Sequence, residues 1–202
     1  MLASFTRHGI TRDELFSESI LQTLASSDTT ATALRAIMLH LITHPPVYRR
    51  LQAETDGVVA SGVVPATPNI ISDAYAKNMS YLQAVIREGL CIHPPVTDIL
   101  PKVVPKGGGT ITIDGERVFL PGGANAGYCA WGVHRNKGIF GEEADQFRPE
   151  RWLRVDGKKN GEQLTAMRRT TEIIFAYGKY QCLGKPIAWM EITKVVFEVC
   201  RS

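Results

Sequence analysis

The sequence predicts a mainly helical α+β domain. Three observations predict it. A helical pattern of about 30 residues starts at Thr11. Short strand-like segments are confined to the stretch from Ile99 to Ala130. Helical spacing then returns from about Leu183 to Cys200. Long helices beside a small separate sheet are the arrangement of an α+β fold.

The first helix begins at a capping box, Thr11-Arg-Asp-Glu14, with Thr at the N-cap and Glu three residues later. Leu15, Leu21, Leu24, Leu34, Ile37, Met38, Leu41 and Ile42 keep roughly helical spacing up to His44-Pro45-Pro46. At 1.5 Å per residue such a helix is ~45 Å long and crosses a whole domain. Its middle, Ala25-Ser-Ser-Asp-Thr-Thr-Ala31, places five consecutive poor helix formers where an apolar stripe should run. Hydroxyls there can bond back to the carbonyl of the preceding turn.

A second helix is expected from Val47 to about Val59, and a loop rich in Pro and Gly follows it to Asn69. A third is expected from about Met79 to Ile92, with Leu82, Val85, Ile86 and Leu90 on one side. His93-Pro94-Pro95 stops it, since a residue before proline avoids the helical region. Ile99–Val104, Thr110–Asp114 and Arg117–Leu120 read as strands, with Asp114-Gly115 as a turn and a further strand or turn near Ala126–Ala130. Residues 136–172 read as charged and irregular. The apolar run Ile173-Ile174-Phe175 leads into Gly178 and Cys182, and a last helix follows. The first helical pattern starts close to Met1 and the last runs straight into Ser202, which reads as a piece of a larger fold.

The composition is that of an ordinary globular protein: 44% hydrophobic and 21% charged residues exclude disorder and collagen. A formal charge of +3 gives no argument for nucleic acid. The four cysteines, at 91, 129, 182 and 200, fit no zinc spacing. No secretory leader opens the chain and no run reaches the ~18 apolar residues of a membrane span. Reduced thiols in a cytosol-facing compartment are therefore expected.

The segment with most chemistry in it is Phe175-Ala-Tyr-Gly178-Lys-Tyr180-Gln-Cys182-Leu-Gly184. An isolated cysteine is most often a small buried hydrophobe. Cys182, however, lies just ahead of a helix, where the free first-turn amides of Leu183 and Gly184 can donate to sulfur. The positive helix end favours thiolate over thiol, and thiolate is the form a soft or redox metal needs. Gly178 permits a tight turn, Gly184 lets a flat ligand approach the backbone, and Phe175 can shield the sulfur.

This run resembles the haem-binding signature of the cytochrome P-450 family: Phe, two residues, Gly, one residue, Arg or His, one residue, Cys, one residue, Gly. Phe175, Gly178, Cys182 and Gly184 match. Tyr180 stands where the family has the Arg or His that holds a haem propionate. The resemblance implies a haem b cofactor with Cys182 as axial ligand to iron, and a thiolate that favours O–O cleavage.

Three further segments carry the resemblance. Ala25-Ser26-Ser27-Asp28-Thr29-Thr30 is similar to the family's oxygen-activating motif, with Ser26 in place of a glycine. Taken alone it is a solvated patch. The resemblance makes Asp28 the carboxylate that passes protons inward and Thr29 the hydroxyl that positions a water. Glu88 matches the Glu of the family's Glu-x-x-Arg helix, but the Arg position is Cys91. In Pro149-Glu150-Arg151-Trp152, Arg151 matches the third member of that ion network, which is thereby reduced to Glu88 with Arg151. On base rates alone Glu88 would be a surface helix charge. Lys102 lies where a basic residue often meets a propionate, and His134-Arg135 resembles the segment after the small sheet.

The resemblance covers nearly all 202 residues, in the family's order. It implies one partial haem-binding domain over 1–202, the C-terminal portion of the fold, without the half that carries a membrane anchor and much of the substrate pocket. Phrases such as Ser27-Asp-Thr-Thr-Ala-Thr-Ala33 and Gly184-Lys-Pro-Ile-Ala-Trp-Met-Glu191 are similar to fungal branches near pisatin demethylase and benzoate hydroxylase. A full-length relative is expected on the cytosolic face of the endoplasmic reticulum membrane. It is expected to insert one oxygen atom of O2 into a small apolar or aromatic substrate with electrons from NADPH through a reductase. Residues 150–202 hold ten Lys/Arg against six Asp/Glu, a local excess of four that suits an acidic flavoprotein partner. Two other readings stay open: a truncated, non-catalytic remnant that binds haem weakly or not at all, and a haem-thiolate isomerase, against which Asp28 and Thr29 argue.

Overall fold

The computed structural model describes residues 7–62, 64, 70–97, 100–113, 115–153 and 160–201. Helix α1 (Arg12–Thr43) is continuous over 32 residues and opens on the expected capping box. The Glu14 amide donates to the Thr11 hydroxyl, and the Glu14 carboxylate accepts from the Thr11 amide at 2.9 Å. The hydroxyl-rich middle bonds backward as the residue types dictate: Ser27 to the Thr23 carbonyl at 2.7 Å and Thr29 to that of Ala25 at 2.9 Å.

Helix α2 (Pro45–Ala60) starts two residues earlier than expected, because proline suits the first helical turn. The single turn α3 (Asp73–Ala76) is capped by Ser72. Helix α4 (Ser80–Ile92) is the centre of the molecule and is buried on nearly all sides. Its N-terminal amides are satisfied by another element: Glu54 of α2 accepts from Tyr81 and Leu82, each at 2.8 Å. Gly89 lets α1 approach closely, since a Cβ there would lie 2.3 Å from Ile37 Cγ1.

The sheet region is smaller than the sequence suggests. β1 (Lys102–Val103) pairs antiparallel with β4 (Asn125–Ala126). β2 (Gly109–Ile113) and β3 (Glu116–Leu120) form a hairpin with Gly109 opposite Leu120 and Ile113 opposite Glu116. The expected strand from Ile99 shrinks to two residues, with Ile99 itself outside the described residues, as is Asp114 of the turn. Two helical turns follow, α5 (Ala130–Val133) and α6 (Lys137–Phe140), and then a 3-10 turn, Pro149–Trp152. The segment read as irregular contains a real helix, α7 (Asn160–Thr171). Among the described residues its buried apolar side chains are Leu164 and Met167, three residues apart among polar neighbours and followed by the buried Thr171, too sparse a stripe to announce a helix. Helix α8 (Lys185–Cys200) closes the chain.

Two apolar clusters result. The larger joins α1, α2, α4 and α8 through Ile37, Leu51, Leu82, Ile86, Val196 and Phe197. The smaller packs Cys91, Phe140, Trp152, Leu164 and Met167 under the far side of α4. Among the described residues no helix is long and apolar enough to cross a membrane.

Candidate functional site

The loop carrying Cys182 rises from the 3-10 turn Glu172–Phe175. Ala176 follows at φ 53, the only non-glycine with positive φ among the described residues. A Cβ disfavours that conformation, and strain of this kind gathers at functional sites. Gly178 at φ 61 makes the next turn without that cost. The Cys182 amide then donates to the Phe175 carbonyl at 2.8 Å and closes the loop. Lys185, in the first turn of α8, is paired with Glu172 and lies 5.4 Å from the Phe175 ring centre. Both legs of the loop are thus braced together beneath the cysteine.

Cys182 itself is exposed. Its sulfur stands 3.8 Å from where a Cβ on Gly184 would be, at the mouth of a 16-residue helix. The positive end of the α8 dipole points at that position. Tyr180 is 60% exposed and lies between two ammonium groups: Lys102 Nζ at 4.7 Å from its ring centre and Lys179 Nζ at 5.7 Å. The structure therefore brings Lys102 of β1 onto the cysteine loop.

Glu88, on α4, is fully buried. The backbone amide of Arg148 donates to Oε1 at 2.6 Å, Arg151 Nε to the same atom at 3.1 Å, and Trp152 Nε1 to Oε2 at 2.6 Å. Arg151 directs three further donors to the carbonyls of Phe140, Glu143 and Gln146. Burial pushes the Glu88 carboxyl up to about 7, against the pull of Arg151 and the other donors. Cys91, one turn along, is 2% exposed, and burial followed by the Glu88 charge pushes its thiol up to about 12. It is an inert core residue, not a second thiolate.

The sequence reading paired Glu88 with Arg151 but missed Trp152 and the Arg148 amide. It also understated His134 and Arg135. His134 is fully buried with Nδ1 at 3.0 Å from the Cys91 carbonyl, and burial holds its imidazole below the usual range. Arg135 donates to the Ile92 carbonyl at 2.9 Å and stacks 3.4 Å over Trp131. Together they secure the C-terminal end of α4 beside the position where a guanidinium was expected. A buried Trp beside Pro-Glu-Arg was the available signal, since a buried indole N–H needs an acceptor. Asp28 lies exposed on α1, with Thr29 one residue on and bonded within its own helix.

The model of the family "Cytochrome P450" matches residues 2–201. The chain belongs to the cytochrome P450 family. It is 45% identical over 201 residues to the cytochrome P450 monooxygenase ABA1 of Pyricularia oryzae, covering all of this chain and 37% of that protein. It is 36% identical over 202 residues to aba1 of Botryotinia fuckeliana, again all of this chain and 38% of the relative. A pisatin demethylase of Fusarium vanettenii is 40% identical over 178 residues, 88% of this chain and 31% of the other. The chain thus spans a little over a third of the length of the first two relatives.

Membership in the cytochrome P450 family implies a haem-thiolate cofactor. The residues present fit that cofactor. The donor offered is one exposed soft sulfur at a helix mouth. A side-chain-free Gly184 lies beside it, and cations for a carboxylate stand on Tyr180.

Proposed function

We propose that this chain is the haem-thiolate part of a monooxygenase, with residues 1–202 contributing one haem-binding unit. Cys182 holds haem b through its sulfur. The observation that carries the reading is the presentation of that sulfur: exposed, on a closed and braced loop, at the positive end of α8. When bound, the cofactor supplies activation of O2. The chain's own residues do the rest. Phe175, Gly178 and Gly184 shape the bed of the ligand, and the amides of Leu183 and Gly184, just ahead of α8, stabilise the bound sulfur. Lys102 and the Tyr180 hydroxyl meet a propionate. Asp28 accepts and releases a proton at its carboxylate, and Thr29 orients the water that carries it. Glu88 and Arg151 are supports, fixing α4 to the segment that precedes the loop.

The intact protein of this type inserts one oxygen atom into a small organic substrate, with electrons originating in NADPH and delivered by a reductase. The names of the relatives, monooxygenases and pisatin demethylases, support that class. The same proposal places the intact protein at the cytosolic face of the endoplasmic reticulum membrane. A second reading, a non-catalytic remnant that binds haem weakly or not at all, is favoured by one observation: with Cys91 in place, Arg151 is the one guanidinium partner of Glu88 among the described residues.

The test is optical. The full chain is expressed, loaded with haem, reduced and exposed to carbon monoxide. Thiolate ligation gives the absorption band from which the family takes its name, and Cys182→Ser abolishes it. An identical spectrum in the serine variant refutes the assignment.

A further inference from the structure

Away from the cysteine loop, a cavity of about 510 Å³ opens between α4, α7 and α8, walled by Lys77, Ser80, Gln83, Arg87, Arg168 and Trp189. Its volume lies in the range of small-molecule sites. Three cations from three different segments converge on it. Arg87 is half-buried and lies 5.2 Å from the Trp189 ring centre, while Trp189 Nε1 donates to Gln83 Oε1 at 2.9 Å. Arg87 is therefore fixed in place rather than waving in solvent.

The charge in this cavity is not balanced from within. Lys77 has Asp73 at 2.5 Å. Among the described residues neither Arg87 nor Arg168 has an ion pair; Glu172 acts on Arg87 through its charge but is itself paired with Lys185, so it balances the two guanidinium groups only in part. Burial and then the Arg168 charge act to lower the Arg87 pKa. Two guanidinium groups held together in a concave, partly dry site are unfavourable until an anion joins them. Guanidinium forks match phosphate oxygens in pairs. The cavity is also larger than one inorganic anion requires, and the edges of Trp152, Leu153 and Ala84 give it an apolar wall for an organic body.

We propose that this cavity binds a phosphate monoester, its phosphate held by Arg87 and Arg168 and its organic part lying against the tryptophan edges. The site uses none of the residues assigned to the cysteine loop, and it does not depend on haem.

The full chain is titrated with adenosine 5′-monophosphate, inorganic phosphate and adenosine at constant ionic strength. Tryptophan fluorescence and thermal midpoint are followed together. Adenosine monophosphate is expected to quench the fluorescence and raise the midpoint, inorganic phosphate to bind at least tenfold more weakly, and adenosine to do neither. Arg168→Gln, at an exposed position, and Arg87→Gln should each weaken the monophosphate at least tenfold; the first keeps the test decisive if the second does not fold. No response to millimolar monophosphate overturns the proposal, and so does a response that both variants retain. An oligoglutamate peptide that displaces the nucleotide at equal concentration also overturns it, in favour of an acidic protein partner.

Discussion

Glu88 and Cys182 are the centres of the two residue sets described above, and they are held under opposite conditions. Glu88 is fully buried and receives three donors from a segment some 60 residues away. Cys182 is exposed, and its loop is closed by local bonds within ten residues. The buried carboxylate is a matter of stability, because an ion inside a protein is tolerable only when paired. The exposed sulfur is a matter of chemistry, because it keeps its reactive atom free for a partner. The comparison teaches that substitutions around Glu88 should be read by unfolding, and those around Cys182 by ligand spectroscopy.

The largest expected effect that can break this contrast is Arg151→Met. It leaves the Glu88 carboxylate buried with no cation and frees the carbonyls of Phe140, Glu143 and Gln146. Removing one partner of a buried pair costs about 3–5 kcal/mol, a large share of a domain stability of roughly 5–15 kcal/mol. Urea unfolding should show that loss. A loss below about 1 kcal/mol would mean that Trp152 and the Arg148 amide suffice.

Next in size is a pH effect. The folded Glu88 carboxyl titrates near 7, above its ordinary value of 4.5. Folding then holds a proton that the unfolded chain releases, so this group's contribution is full below about pH 4.5 and is lost as pH rises through 7. Glu88→Gln should remove that part of the stability slope between those values, at the cost of an unpaired Arg151. Cys91→Arg acts on the same group from the other side. It places a second guanidinium one turn from Glu88, lowers its titration point, and should flatten the slope while slowing haem loss to apomyoglobin. Unchanged slopes in both variants would remove Glu88 as the source.

What the sequence disclosed, and what it did not, follows the same division. The long helix, its capping box and the helix ending at His93-Pro94 were legible because periodicity and proline act locally. The cysteine loop was legible for the same reason: Gly178, Cys182 and Gly184 are neighbours in the chain. The set around Glu88 was only half legible. Trp152 and the Arg148 amide meet it across 60 residues, and no local pattern records that. Helix α7 was missed because two buried side chains, Leu164 and Met167, make too thin a stripe. The expected strand at Ile99–Val104 overreached, since β-branched residues near prolines mimic a strand while, among the described residues, regular strand pairing is limited to Lys102 and Val103, with Val104 bonded to Gly123 and Ala124 just beyond it.

The smallest expected effect on stability sharpens the other half of the comparison. Tyr180 is 60% exposed and its contacts are two lysine ammonium groups over its ring. Surface changes of this kind usually shift stability by no more than about 0.5 kcal/mol, so Tyr180→Arg should leave the unfolding curve nearly in place. Its effect on ligand binding should be larger. The arginine removes the aromatic seat of Lys102 and sets a guanidinium in the position of the phenol, where it can pair with a carboxylate through two hydrogen bonds. Haem should therefore dissociate more slowly from the variant, while a haem whose propionates are esterified should dissociate at the same rate from both proteins. If the esterified cofactor gains as much as the free acid, Tyr180 does not face a propionate. The exposed loop would then be tuned by packing against the porphyrin, and the division between a buried support and an exposed electrostatic site would hold only for its buried half.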